Sequence, residues 1–156
     1  MTFQEAVQAA PAPVNEAYQP GLQALGSNSA KIQDDCRRTT GSLFLDKTLE
    51  NSQPYANQPR WDYGIGVRRR NREEAFWVEV HPANTHGVTE VLRKLDWLKN
   101  FLNHVAPSLR GITRSEQPYV WIASGGIHIQ KNTPQSRRLA ASGLLGPLKH
   151  YSLGEP

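Results

Sequence analysis

Arg60-Trp61-Asp62-Tyr63-Gly64-Ile65-Gly66-Val67 and Ala75-Phe76-Trp77-Val78-Glu79-Val80-His81 are the two runs on which the fold turns. In the first, Trp61, Tyr63, Ile65 and Val67 alternate with Asp62, Gly64 and Gly66, the period-two pattern of a strand with one apolar face. Asp62 therefore points away from the aromatic face. In the second, Phe76, Val78 and Val80 share one face while Trp77, Glu79 and His81 share the other. This run is apolar enough for a central strand, and Pro82 is expected to end its ladder pairing. The polar segment from Arg68 to Glu74 suits a hairpin loop between them. Two ionisable side chains, Glu79 and His81, are thus expected side by side near a strand end.

Downstream, Val88, Val91, Leu92, Leu95, Leu98 and Leu102 fall in one stripe at helical spacing, and Pro107 closes the helix. On a wheel Lys94 lies roughly 80° to one side of that stripe and Lys99 about 60° to the other, so either reaches a seam between helix and sheet. Trp97 lies on the outer side, as a binding surface or as a residue packed under the N-terminal arm. Tyr119 to Ala123 reads as a further strand, and Gly125-Gly126 as a hairpin turn leading into Ile127-His128-Ile129. Ser124-Gly125-Gly126 lacks the lysine and hydroxyl residues of a phosphate-binding loop. Thr133-Pro134 opens a second helix that carries Arg137 and Arg138 and reaches Ser142. The tail from Leu144 to Leu153 adds a last short strand.

Upstream, Asn51 to Pro59 is a turn-rich linker. Ser42 to Leu45 is a short apolar run, and Asp46 to Glu50 fits either a strand end or a helical turn. Residues 1–30, rich in Ala, Gln, Pro, Gly and Ser, read as a flexible or partly helical arm with no continuous core element, its better turn near Glu16 to Leu25. Residues 31–156 form the single domain. The expected class is α/β (α+β), with one mixed sheet of about five strands flanked by helices.

A length of 156 residues suits one domain of ordinary size. One cysteine, Cys36, excludes an internal disulfide and favours a reducing, cytoplasmic location, where Cys36 is expected as a small, semi-buried residue. No apolar run approaches the roughly 20 residues of a membrane helix, and the first residues lack the pattern of a signal peptide. Eighteen basic against fourteen acidic side chains give a net charge of +4. The charge concentrates at Arg68, Arg69, Arg70 and Arg72, which fit a solvated hairpin tip as well as a phosphate-binding patch.

Glu79 is the residue hardest to explain by structure alone. A carboxylate in an apolar strand costs several kcal/mol without a partner, so it is expected to find a cation, either Lys94, Lys99 or an arginine, or a metal. Asp62 either joins it or bonds backbone amides at the strand start. His81 either acts as a base or merely caps its strand, while His86 adds a His/Glu/His alternative suited to zinc or manganese. His128 reads as an ordinary half-buried histidine.

An acid on one strand, Glu-Val-His on the next and a strong helix after it resemble the PD-(D/E)XK nuclease superfamily. The resemblance covers about residues 40–130 and implies a restriction-endonuclease-like core. It also implies Asp62 and Glu79 as ligands of Mg2+ or Mn2+. The position of the motif lysine is occupied by His81, so the resemblance implies either His81 or a migrated lysine, Lys94 or Lys99, as the group that assists water. A hard cation would stabilise charge developing on a phosphodiester and activate water, and two carboxylates suffice for magnesium. Arg68, Arg69, Arg70, Arg72, Arg137 and Arg138 would then follow the backbone of DNA or RNA. The alternative is a non-catalytic nucleic-acid- or protein-binding module with the same fold, including a defence or toxin–antitoxin accessory protein.

Overall fold

The strand alternation and the long helical stripe both take shape in the computed structural model, which describes residues 1–154. Along the chain run α1 (Phe3–Gln8), β1 (Ile32–Gln33), β2 (Thr39–Phe44), α2 (Leu45–Leu49), β3 (Tyr63–Arg69), β4 (Arg72–Asn84) and α3 (Thr85–His104). They are followed by α4 (Pro107–Ile112), β5 (Tyr119–His128), α5 (Pro134–Ala141), β6 (Leu145–Leu148) and β7 (Tyr151–Ser152). Strands β2 to β6 form one sheet in sequence order, and β1 pairs with β7 in a small second sheet. The β2–β3 and β3–β4 pairs are antiparallel, whereas β4–β5 and β5–β6 are parallel. The protein is therefore an α/β protein with a five-stranded mixed sheet flanked by helices.

Each sheet face has its own core. Trp61, Trp77 and Trp121 are fully buried on the face that α1, α3 and α4 cover, through Phe3, Val91, Leu95, Leu98 and Leu109. On the other face Tyr63, Ile65, Val67, Phe76, Val78, Val120 and Ile122 pack under Leu25, Ile32 and Leu153. The division follows the alternation in β3 and β4, since neighbouring side chains leave a strand on opposite sides. Trp61, expected on the face of Tyr63, Ile65 and Val67, precedes β3 and joins the other core instead.

Four further expectations change. The first thirty residues do contribute to the core: Phe3, Ala6, Val7 and Val14 are buried. The reason is local, because Thr2 and Glu5 close a reciprocal capping box around α1. Phe3 then lies over Gly66, where a Cβ would run into its ring and come within 2.7 Å of Thr40 Oγ1. Pro82 does not end its strand, nor does Gly125-Gly126 turn the chain. Residues Ser124 to Gly126 instead bulge opposite Pro82, between the pairs His81–Ala123 and Ala83–Ile127. A two-residue hairpin of the favoured type needs positive φ at both positions, and neither glycine adopts it. The third change is that the hairpin loop shrinks to Arg70-Asn71, with Arg69 and Arg72 already paired. Finally, Cys36 is exposed, in the short connection between β1 and β2. The segment left open at Asp46 to Glu50 is largely helical, as α2.

Candidate active site

Three elements deliver the charged cluster. Asp62 stands immediately before β3, where its carbonyl accepts from Leu45 N at 2.7 Å and Asp46 N at 3.3 Å, fixing the start of α2. Glu79 sits in the middle of β4 on the tryptophan side and is fully buried. Lys94 comes from the third turn of α3, whose apolar stripe holds that helix against the sheet. The wheel position of Lys94 beside the stripe is what turns its ammonium toward the seam.

The carboxylate of Glu79 is the hub. Its Oε1 accepts from the Asp62 amide at 3.0 Å, and its Oε2 accepts from Lys94 Nζ at 2.6 Å. The Asp62 carboxylate answers from the opposite direction, with Oδ2 accepting from Val80 N at 3.0 Å. The two strands thus exchange side chain for backbone at the point where the acids approach. His81 Nδ1 lies 3.6 Å from Glu79 Oε2, and its Nε2 is hydrogen-bonded to Glu90 Oε2 at 2.8 Å.

The cluster perturbs its own titration. Burial first and the neighbouring Glu79 second push the Asp62 carboxyl up to about 7, against the pull of Lys94 and the Val80 amide. Burial opposes the Lys94 ammonium, yet Glu79 and Asp62 outweigh it and raise its pKa above the ordinary lysine value. Glu79, and with it Glu90, hold the His81 imidazolium above its usual range despite partial burial. The site therefore sets Lys94 against Glu79 and holds one carboxyl, that of Asp62, poised to gain or lose a proton near neutral pH.

Asp62, Glu79, His81 and Lys94 come together. Other expected residues do not. Lys99 lies over the Tyr119 ring, 5.5 Å from its centroid. His86 is almost wholly exposed, 3.4 Å from Glu90 rather than beside Glu79. The His/Glu/His alternative fails with it: among the described residues no group of three or more His, Cys, Asp and Glu is arranged to hold a metal. His128 is exposed on the outer part of β5. Trp97 is half-buried, stacked on Phe101 at 5.1 Å and bonded through Nε1 to Gln58 Oε1 at 2.7 Å, so the linker before β3 covers it rather than the N-terminal arm.

The arginines divide into two groups. Arg68, Arg69, Arg70 and Arg72 occupy the β3–β4 tip, roughly 23 Å along the strands from Asp62 and Glu79 at the usual rise per residue. There Arg72 and Arg69 share Glu74, at 2.7 and 3.6 Å. Arg137 and Arg138 lie on α5, where Arg138 Nη2 donates to Thr89 Oγ1 at 3.0 Å, one residue from Glu90. Only the second group stands at the end of the sheet that carries the acids. Glu90 escaped the sequence reading; its one signal was a spacing of four residues from His86 on a helix. Comparison with family models, with curated proteins and with solved structures finds no match for this chain.

Proposed function

We propose that this protein is a metal-dependent nuclease-like domain that hydrolyses phosphodiester bonds in nucleic acid, with Asp62, Glu79 and Lys94 at its centre. The observation that carries this reading is the meeting of two acids and a lysine, from three separate elements, around one buried carboxylate. Burying Glu79 costs several kcal/mol, and an ion pair in such a place is weak evidence for stability alone, so the arrangement asks for a chemical reason. The order of elements supports the PD-(D/E)XK resemblance: an Asp at the start of one strand, an acid on the next, and a helix after it. Lys94 on that helix supplies the ammonium that His81 replaces in the motif.

The donor set fits a hard cation. It offers carboxylate oxygens only, and Asp62 Oδ1 has no hydrogen-bond partner among the described residues. Asp62 and Glu79 would hold Mg2+ or Mn2+, with water and substrate phosphate completing the shell as is usual for magnesium. When bound, such a cation stabilises the charge that develops on the phosphate and lowers the pKa of bound water. Lys94 sets a positive charge beside the same point, suited to a phosphate oxygen. His81, oriented by Glu90, stands beside the same point and can accept a proton once pH rises past its raised titration range. Asp62 must shed its raised proton for the pair of acids to act together, so cation affinity should rise with pH.

The test is incubation of the purified chain with DNA and with RNA in Mg2+ or Mn2+, alongside Glu79→Gln, together with a cation titration followed by thermal melting. Cleavage by the wild type, loss in the variant and a cation-dependent rise in melting temperature are expected. Intact substrates and an unmoved melting temperature with both cations overturn the proposal. A second reading, a non-catalytic nucleic-acid- or protein-binding module, is favoured by one observation: both oxygens of Glu79 already have partners within the chain. For nucleic acid it predicts binding that survives chelator and Glu79→Gln and falls steeply with salt.

A further inference from the structure

A second opening lies at the same end of the sheet as the acids. Gln19, Gln23, Ala24, Phe44, Lys47 and Thr48 line a cleft of about 460 Å3, within the range of small-ligand sites. Phe44 and Ala24 belong to the core of Tyr63, on the sheet face opposite Trp77 and Glu79, and the cleft is tied to Asp62 around the sheet end through two connections. Phe44 is paired with Tyr63, the residue after Asp62, and the two rings rest against each other at 4.5 Å. The other connection is α2, which carries Lys47 and Thr48 and whose first two amides donate to the Asp62 carbonyl.

The lining has unspent recognition chemistry. Gln19 and Gln23 are exposed, and their hydrogen bonds are made by the main chain: Gln19 exchanges two with Ser42, and Gln23 N donates to Pro20 O. Their side-chain amides, each with donor and acceptor, have no protein partner among the described residues. Lys47 is exposed and has no carboxylate at ion-pair distance among the described residues, while Asp46 beside it is taken by Arg60. Thr48 contributes no free donor, since its hydroxyl donates to Phe44 O at 2.6 Å. A half-buried aromatic ring, two amides and one cation call for a ligand that is planar, carries both donors and acceptors, and bears negative charge.

The geometry points to a nucleotide subsite: this cleft takes a base against Phe44, with Gln19 and Gln23 at its polar edge and Lys47 on its phosphate. The inference rests on the reading of Asp62 and Glu79 as the hydrolytic centre, and deepens it by placing a flanking nucleotide of the substrate beside α2. A free nucleotide and a nucleotide within a strand share this chemistry, so both enter the test.

Binding is measured by calorimetry on the full chain in chelator, where no cleavage can occur. The probes are adenosine 5′-monophosphate, a single-stranded oligonucleotide of six residues and inorganic phosphate. Both nucleotide probes should bind more tightly than phosphate. Lys47→Ala, Gln23→Ala and Phe44→Leu should each weaken them roughly tenfold, the scale of a lost base-stacking or charge contact. An oligonucleotide that binds more tightly than the mononucleotide identifies the strand as the natural source; the reverse identifies a free nucleotide. The exposed positions Lys47 and Gln23 guard against a Phe44 variant that fails to fold. Nucleotides that bind no better than phosphate, or an affinity untouched by Lys47→Ala and Gln23→Ala, overturn the subsite. Absent cleavage with intact nucleotide binding sinks the hydrolytic centre alone, and cleavage without such binding sinks the subsite alone.

Discussion

Strands β3 and β4 carry a charged cluster at each end, and the two ends obey opposite rules. At the Asp62 end, Glu79 is fully buried and every charge has a partner within the protein. At the Arg70 end, Arg68, Arg70 and Arg72 stand in solvent along an open cleft that the start of the chain also lines, and the one buried charge, Glu74, is held by Arg72 and Arg69. Burial makes a charge costly, so the first cluster can exist only with its partners in place. Water screens the exposed arginines of the second, and Arg68 and Arg70, which have no ion pair among the described residues, are dispensable to the fold. Chemistry is expected where charge has been paid for, and adjustable affinity where it has not.

The sharpest way to break this contrast is Glu79→Gln, which should reduce cleavage by about a thousandfold in a plasmid or oligonucleotide assay, the loss of several kcal/mol of transition-state stabilisation. Lys94→Met tests the energetic half of the contrast. It leaves Glu79 buried and unpaired and should cost about 3 kcal/mol in denaturant unfolding, at the lower end for buried pairs because Lys94 keeps some solvent contact. The double variant Glu79→Gln with Lys94→Met should recover part of that loss. Between the two ends, Gly66→Ala sets a Cβ into the Phe3 ring, and should lower stability by about 2 kcal/mol while loosening α1.

A smaller effect follows from Asp62. Its carboxyl titrates near 7 in the folded chain, well above the unfolded value, so the native state binds the extra proton between about pH 4 and 7. Stability from this group is full at acid pH and is lost as pH rises through 7, and the raised His81 acts in the same direction. The melting temperature should fall between pH 5 and pH 8, and Asp62→Asn should flatten the slope. The smallest effect belongs to the other end. Arg70→Ala should change stability by no more than about 0.5 kcal/mol, yet lower the salt slope of nucleic-acid binding by about 1 if that residue meets a phosphate. An arginine variant that unfolds the chain, or a Lys94 variant that leaves it untouched, would erase the distinction.

What was legible in the sequence was whatever repeats. The alternation in residues 63–67 and 75–81 and the stripe from Val88 to Leu102 placed β3, β4 and α3, and with them the convergence of Asp62, Glu79, His81 and Lys94, whereas Trp61, ahead of the strand, left the alternation for the other face. Features made by a single contact were not legible. α1 is only six residues long, too short for a helical period, although Thr2 and Glu5 carried the cap. Gly125-Gly126 has the composition of a turn, but the register on either side of Pro82 uses it as a bulge. Glu90 meets His81 only because β4 and α3 fold back on each other, and nothing in local spacing encodes that distance.

Lys94 lies within the connection between β4 and β5, and two parallel strands can be joined only by such a crossover. The β3–β4 hairpin can close from neighbours in sequence, whereas the parallel pair must first gather a long intervening segment. A chain that has formed the hairpin alone therefore holds Glu79 hydrated and without its lysine. The ion pair between Glu79 and Lys94 is a mark of finished topology, and protection of that one carboxylate would date the moment at which the molecule acquires its site.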